Sequence, residues 1–291
     1  MASRKPTVAG QFYPASAQQC REEIRQCLQD RPIPESFASP LAAGIVPHAG
    51  WIFSGDLAGM TFAAIQKANG SVDSFILLGA VHRWFGNSPA VYPSGSWQSP
   101  LGEIAIDEDL AGRIVKLTDA EPSPDAHRGE HSIEVQIPFV QYLFPQARIV
   151  PILVPLEVDV ATFGERLARV IGDCPDRRIA CVASTDLTHY GPRYGFAPEG
   201  IGAEALFWAK NVNDREFIDL AIAMDAPALV QKAIDHTSAC GPAAAGVAVA
   251  AAKALGKTQG VLLAHTTSSE VMLRKFRQSS QESVGYASMV F

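Results

Sequence analysis

Three clusters of polar side chains directly follow apolar segments of the sequence. His48 follows the run GIVP, His82 follows ILLGAV, and Asp186 and His189 follow CVAST. Ligands of α/β proteins bind outside the carboxyl ends of the strands, so these clusters meet if the three segments form neighbouring strands. A single histidine at a strand end is more often an ordinary hydrogen-bonded loop residue. Three of the seven histidines of the chain lie at such positions. Together they favour a common site more strongly than a single histidine would.

Cys240 begins the segment CGPAAAGVAVAAAKALG, whose composition is typical of a buried helix. A helix N-terminus lowers the pKa of a thiol, and the thiolate is the form that binds metals and attacks electrophiles. Tight packing is the alternative explanation, because small residues flank this thiol. The set His48, His82 and Cys240 would leave an open coordination position, as catalytic metal sites do. Imidazole and thiolate together suit iron, copper or zinc and disfavour magnesium or calcium.

Asp186 and His189 are three residues apart and are predicted to share a face. One of them would orient a metal ligand, and the other would act as an acid or base near neutral pH. Because Asp186 and a histidine also accompany Cys240, a metal-free cysteine hydrolase with these three groups is an alternative.

A fourth cluster lies in HRGEHSIEVQ, where His127 and His131 are four residues apart, which is a possible metal spacing. A capping interaction between His131 and Glu134 at the start of a helix is the alternative explanation. We expect only His131 to face the cleft. His131 and Trp51, which belongs to the PHAGW cluster, are predicted to contact the substrate.

Apolar segments and amphipathic segments alternate along the chain, which predicts an α/β protein with a central sheet between helices. Buried strands are predicted at 41–46, 74–80, 147–155, 178–184, 259–269 and 284–291, and a hairpin at 90–93 with 102–107. Helices are predicted at 16–30, 56–68, 107–118, 159–172, 203–211 and 214–235, at 131–144 with a kink at Pro138, and after Cys240. No repeat or change of composition divides residues 1–291, so a single domain is expected.

Composition narrows the possible functions. The chain has 291 residues, of which 47% are hydrophobic and 19% charged, which is typical of a globular protein. The net charge is -6 and there is no basic run, so no nucleic-acid partner is expected. No apolar run reaches the ~18 residues of a membrane span, and no secretion signal is recognised, so a cytoplasmic location is expected. Five scattered cysteines without a CxxC pair predict neither disulfides nor a structural zinc site.

Seven segments, in order and spread over nearly the whole chain, resemble the Memo family. They are VAGQFYP, PHAGWIFSG, ILLGAVH, EHSIEVQIPF, STDLTHYG, CGPAAAGVA and YASMVF. The resemblance implies a fold similar to that of class III extradiol dioxygenases, which are non-haem iron enzymes. It also implies metal ligands at His48, His82 and Cys240, where the cysteine replaces a carboxylate of the dioxygenases. Asp186 and His189 match a further family motif, and His189 falls at the dioxygenase acid/base.

The sequence differs from some members of the family at two positions, and the resemblance also implies partners. Arg83 and Gln136 stand where some members carry histidines, but neither is a matched ligand. Eukaryotic members are implicated in phosphotyrosine-peptide binding and in metal and redox handling. Bacterial members are associated with a radical-SAM protein, which implies a pathway partner of that kind.

Two functional hypotheses are therefore retained in addition to the cysteine hydrolase. One is metal-dependent redox or oxygenase-type chemistry on a small substrate, with iron or copper favoured and zinc possible. The other is an adaptor whose metal cleft binds a small molecule or a peptide without turnover. A thiolate ligand is softer than a carboxylate and can itself be oxidised, so catechol cleavage is not expected to carry over.

Overall fold

Parallel strands form the centre of the sheet that carries the predicted site. The computed structural model describes residues 3–29, 32–37, 40–83 and 86–291. In these ranges the strands are β1 (Ser3–Arg4), β2 (Ala43–Val46), β3 (Ser74–Gly79), β4 (Ala90–Val91), β5 (Ser96–Ser99), β6 (Gly102–Ala105), β7 (Glu121–Pro122), β8 (Arg148–Leu153), β9 (Ile179–Ser184), β10 (His189–Tyr190), β11 (Val261–Thr267) and β12 (Ser283–Val290).

Nine of the strands in the described ranges form one mixed sheet. Its order is β10-β12-β2-β9-β3-β8-β4-β7, and β11 also pairs with β12. Strands β2, β9, β3 and β8 run parallel, whereas β12 and β4 join them antiparallel at either side. The four parallel strands are apolar and almost wholly buried, as expected for strands covered on both faces.

Helices flank this sheet. The α-helices in the described ranges are α1 (Ala17–Gln29), α2 (Trp51–Asn69), α3 (Glu108–Leu117), α4 (Ile137–Leu143), α5 (Val160–Gly172), α6 (Ala203–Trp208), α7 (Asp214–Ile222), α8 (Ala226–His236), α9 (Pro242–Ala254) and α10 (Ser268–Val271). The architecture is a single α/β domain with a mixed sheet between helices, as the sequence predicts. Among these helices, none combines the length and the apolar character needed to cross a bilayer.

Small residues allow helix α9 to lie close to its neighbours. A methyl group at Gly164 of α5 would stand 2.5 Å from the Cβ of Ala250, and one at Gly246 would stand 2.6 Å from Val230. The helix contacts β9, β2 and β3 of the sheet. Its alanine-rich composition therefore serves close packing, and this packing brings Cys240, two residues before the helix, to the ends of those strands.

The predicted hairpin was wrong in its first strand. β4 at Ala90–Val91 leaves the hairpin and pairs with β8 in the main sheet. The actual hairpin joins β5 to β6, and β1 adds to β5 in a separate three-stranded sheet. A two-residue strand is held by its long-range partner rather than by local pattern, and this explains the error.

Two helix predictions also need correction. The helix predicted over 131–144 becomes regular only at Ile137, after a 3-10 turn, and Pro138 lies in its first turn without a kink. Proline suits that position because the first turn needs no N–H donor. The helix predicted over 214–235 is two helices, separated near Met224, whose φ is 58°.

Candidate metal centre

The polar clusters meet at one edge of the sheet because their strands are neighbours. β2, β9 and β3 lie side by side and parallel, so their carboxyl ends coincide. His48 lies two residues beyond β2, and His82 three residues beyond β3. Asp186 lies two residues beyond β9, and Cys240 precedes α9 at the same edge. The arrangement that the sequence analysis required is therefore present.

Three imidazoles form the centre of the site. The ring centroids of His48 and His82 are 5.1 Å apart, those of His48 and His131 are 5.3 Å apart, and those of His82 and His131 are 4.6 Å apart. One ring nitrogen from each lies within 4.8 Å of the others. His131, which the sequence analysis placed against the substrate, thus belongs to a cluster that could hold a metal ion.

The carboxylate of Glu130 orients two of these histidines. It accepts hydrogen bonds from the main-chain N–H of His82 (3.1 Å), His131 (2.8 Å) and Ser132 (2.8 Å). It also lies 3.0 Å from Nδ1 of His82. An ionised carboxylate can only accept, so Nδ1 of His82 carries the proton and its Nε2 is left for an ion. Metal-binding histidines commonly have such a carboxylate partner.

The surroundings of this pair favour the ionised carboxylate of Glu130 and a proton on His82. Burial alone would raise the pKa of Glu130, but the hydrogen bonds and charge of His82 and the N–H of Ser132 lower that pKa far below its usual range. Burial opposes a charge on His82, yet its hydrogen bond to Glu130 and that carboxylate's charge raise its pKa. Burial and the neighbouring His82 lower the pKa of His48, which is therefore neutral, the form that binds metals.

Cys240 lies beside the histidine cluster. Its Sγ is 3.1 Å from Nε2 of His48 and accepts a hydrogen bond from the N–H of Asp186 at 3.3 Å. Burial and the charge of Asp186 raise the pKa of this thiol, the opposite of the lowering that a helix N-terminus alone would cause. Thiolate at Cys240 therefore needs a neighbouring cation.

Asp186 and His189 lie beyond the third strand end, where burial raises the pKa of the Asp186 carboxyl and the nearby charge of His189 partly offsets that effect. The carboxylate of Asp186 accepts the main-chain N–H of His48 at 2.7 Å. Nδ1 of His189 donates to the carbonyl of Leu187 at 3.0 Å, which leaves Nε2 free as a proton acceptor. Tyr194 contacts the same ring edge-on, with centroids 5.2 Å apart.

The remaining candidates make their contacts with other parts of the chain. Trp51 is 2% exposed, donates to the carbonyl of Val135 and stacks on Tyr13, so its position is that of a core residue. His127 is fully buried, and its Nε2 lies 3.0 Å from the carbonyl of Ala90. Glu134 caps no histidine. Its carboxylate binds Arg4 and accepts N–H groups of the N-terminal segment.

A cavity of about 190 Å³ opens next to the candidate ligands. His82 and Cys240 form part of its wall. Most of the remaining wall is apolar, with one carboxylate, and consists of Val81, Gly86, Val154, Pro155, Leu156, Glu157, Gly241, Pro242 and Ala243. The site therefore combines histidine and thiol donors with room for a small molecule.

These features define a class: an α/β protein with imidazole and thiol groups gathered at the carboxyl edge of its parallel strands. The family model described as "Memo-like protein" matches residues 4–290, and the chain belongs to the Memo family.

The relatives span the chain from end to end. A MEMO1 family protein of Thermococcus onnurineus is 39% identical over 99% of both chains. One from Pyrococcus furiosus is 37% identical over 99% of this chain and 98% of its own. Among solved structures, an uncharacterized protein from Escherichia coli K12 aligns with a TM-score of 0.49 at 12% identity, covering 86% of this chain and all of its own.

Proposed function

We propose that the protein binds one transition-metal ion at His48, His82 and Cys240 and carries out redox or oxygenase-type chemistry on a small substrate. The observation that carries this proposal is that His48 and His82 belong to a group of three imidazoles, with His131, whose nitrogens lie within 4.8 Å of one another, and that the Cys240 thiol lies 3.1 Å from Nε2 of His48. Two of the rings have their other nitrogen occupied by Glu130 or Ser184, which leaves Nε2 of each for the ion.

The donor set permits iron, copper and zinc, because imidazole and thiolate bind all three, and the proposed redox chemistry favours iron or copper because zinc is not redox-active. Such an ion, when bound, supplies electron transfer or polarises a substrate atom. The chain's own groups do the rest. Glu130 holds His82 and the loop of His131, and Asp186 holds the main chain of His48. Because Nδ1 of His189 donates to the carbonyl of Leu187, its Nε2 carries a lone pair, and we propose that this nitrogen takes a proton from the substrate.

The adjoining cavity supports a small and largely apolar substrate. Its volume of about 190 Å³ is below the ~300–1,000 Å³ of drug-sized pockets. Glu157 contributes one carboxylate to an otherwise mostly apolar wall. A compact molecule with an apolar body fits this space, and a peptide would fit only by a single side chain.

The metal-free cysteine hydrolase is the second candidate, favoured by the contact between Cys240 and His48. Its triad, however, needs a carboxylate on the far ring nitrogen of the histidine. Nδ1 of His48 faces Ser184, and Asp186 binds the main chain of His48 instead. The raised pKa of the thiol also opposes nucleophilic activation. The metal-dependent function is therefore better supported.

The test is metal content. The chain is purified without a metal-affinity tag, analysed for iron, copper and zinc, and titrated anaerobically with Fe(II) and Cu(I). We expect about one tightly held ion per chain and its loss in His48→Ala. His236→Ala is the matched control, because His236, the last residue of α8, pairs with Glu216 of α7. Absence of any bound ion in the wild type, before and after titration, would refute the proposal.

A further inference from the structure

A buried hydroxyl contacts the ring of His48 on the side away from the candidate metal position. Oγ of Ser184, the last residue of β9, lies 3.1 Å from Nδ1 of His48. Both residues are 2% exposed or less. The same oxygen also lies 2.7 Å from the carbonyl oxygen of Ser132 and 3.2 Å from Nε2 of Gln136. Ser184 thus has three polar neighbours and a single proton to give.

The chemistry of the neighbours determines the direction of each hydrogen bond. The carbonyl of Ser132 can only accept, so at 2.7 Å it takes the hydroxyl proton of Ser184. The amide nitrogen of Gln136 can only donate, so it occupies one lone pair of the same oxygen. The remaining lone pair faces His48. Nδ1 of His48 must therefore be the donor in its contact with Ser184.

The orientation of the Gln136 side chain is fixed independently. Its Nε2 donates to the carbonyl oxygen of Pro47 at 2.8 Å. Turning the amide over would bring two carbonyl oxygens to that distance, which is repulsive. The nitrogen therefore stays on the side that faces both Pro47 and Ser184. Gln136 is 1% exposed, so water does not offer its amide an easy alternative.

We propose that Ser184 is a positioning residue that holds His48 as the Nδ1–H tautomer. The tautomer places the lone pair of Nε2 towards Sγ of Cys240, 3.1 Å away, and towards the histidine cluster. Ser132 and Gln136 determine the direction in which the Ser184 hydroxyl donates its hydrogen bond. That direction in turn determines which nitrogen of His48 carries the proton.

The consequence for metal binding rests on the proposed function. A histidine can bind an ion only through a deprotonated nitrogen, so the tautomer decides whether Nε2 of His48 is available. Glu130 sets His82 in the same way with a carboxylate, so the two histidines receive the same tautomer from different chemistry. Loss of such a partner typically lowers metal affinity about 10–100-fold.

The tautomer itself is measurable without any metal. Histidines are labelled with ¹⁵N, the protein is stripped with a chelator, and long-range ¹H–¹⁵N correlations identify which ring nitrogen of His48 is protonated. We expect a protonated Nδ1 and an unprotonated Nε2 in the wild type. In Ser184→Ala we expect the Nε2–H tautomer to appear and the affinity for Zn²⁺ to fall about 10–100-fold.

Ser288→Ala is the matched control. Ser288 is fully buried on β12, and its hydroxyl pairs with Thr61 instead of a histidine. This variant should leave both the tautomer of His48 and the Zn²⁺ affinity unchanged. An Nε2–H tautomer in the wild type would overturn the proposal whether or not metal binds, and so would an unchanged tautomer in Ser184→Ala. Failure of the wild type to bind metal would instead refute the proposed function. Because the wild-type spectrum is decisive alone, the test survives a variant that does not fold.

Discussion

Glu130→Gln is the substitution whose effect on metal binding the structure predicts most specifically. One carboxylate oxygen accepts the N–H groups of His131 and Ser132, the other accepts the main-chain N–H of His82, and Nδ1 of His82 lies 3.0 Å and 3.1 Å from the two oxygens. The glutamine oxygen would stay with the first pair of donors. The NH₂ group would then face His82, repel its main-chain N–H and compete with the glutamine oxygen for Nδ1. The reversed Nε2–H tautomer of His82, in which Nδ1 accepts from the NH₂ group, would become populated at the expense of the tautomer with a free Nε2.

The magnitude follows from the bonds that are lost. A hydrogen bond to a charged group contributes about 1.5–3 kcal/mol, the one from the main-chain N–H of His82 disappears, and the others lose their charged acceptor. We therefore expect the free energy of unfolding to fall by about 3 kcal/mol or more. The reversed tautomer should lower metal affinity about 10–100-fold. Urea unfolding measures the first effect, and competition with a chromophoric chelator measures the second.

Glu134→Gln provides the control, because Glu134 is 1% exposed and also accepts several N–H groups, yet contacts Arg4 and Thr7 instead of the histidines. Both variants should lose stability, and only Glu130→Gln should lose metal affinity. An unchanged metal affinity in Glu130→Gln would refute the reasoning. An equal loss of metal affinity in both variants would refute it as well.

Three further predictions concern other parts of the chain. Burial lowers the pKa of His127 to about 3, so the folded state resists its protonation. The wild type should then lose about 3 kcal/mol of stability between about pH 6.5 and pH 4, and urea unfolding of His127→Gln should show a flatter profile. Cys240→Ser should weaken Cu(I) binding more than about 100-fold, measured by competition titration. This loss should be larger than the loss of about 10–100-fold expected when a residue that only hydrogen-bonds a metal ligand is removed. Gly285→Ala places a methyl group against the carboxylate of Asp214 and should lower the free energy of unfolding by about 1–3 kcal/mol.

Each of these has its own control. Parallel pH profiles of wild type and His127→Gln would contradict the assignment to that ring. Metal affinity of the wild type should rise with pH, because the raised pKa of the Cys240 thiol makes protons compete with the ion, and a flat profile would speak against a thiolate ligand. Gly112→Ala in helix α3, where a methyl group meets nothing within 4 Å, should stabilise by about 0.5–1 kcal/mol, and equal effects of both alanines would contradict the crowding at Gly285.

The strand ends of the site could be predicted because apolar runs mark buried parallel strands, and ligand sites follow their carboxyl ends. His48 and His82 were found in this way. The position of Cys240 follows from a segment of small residues able to approach the strand ends closely, as Gly241 does against Ala80 and Ser184.

The partners of those histidines could not be predicted. Ser184 looks like one more strand residue, and its role appears only when the turn at 130–136 brings Gln136 and Ser132 against it. The helix predicted over 131–144 starts too early because the apolar pattern of the helix extends to residues that precede Ile137. In the structure, the carboxylate of Glu130 accepts the N–H of His131, and the regular helix begins only at Ile137. Trp51 was misplaced for a related reason: its cluster lies at the site, but its ring turns into the core.

One ion is expected to lie between His48, His82 and Cys240. The direct measurement is an anomalous difference map, recorded at the metal's absorption edge, from crystals grown with one equivalent of the bound metal. The account predicts a single peak about 2.0–2.3 Å from Nε2 of His48, Nε2 of His82 and Sγ of Cys240. Absence of a peak at the histidine cluster, or a sole peak elsewhere on the chain, would contradict it.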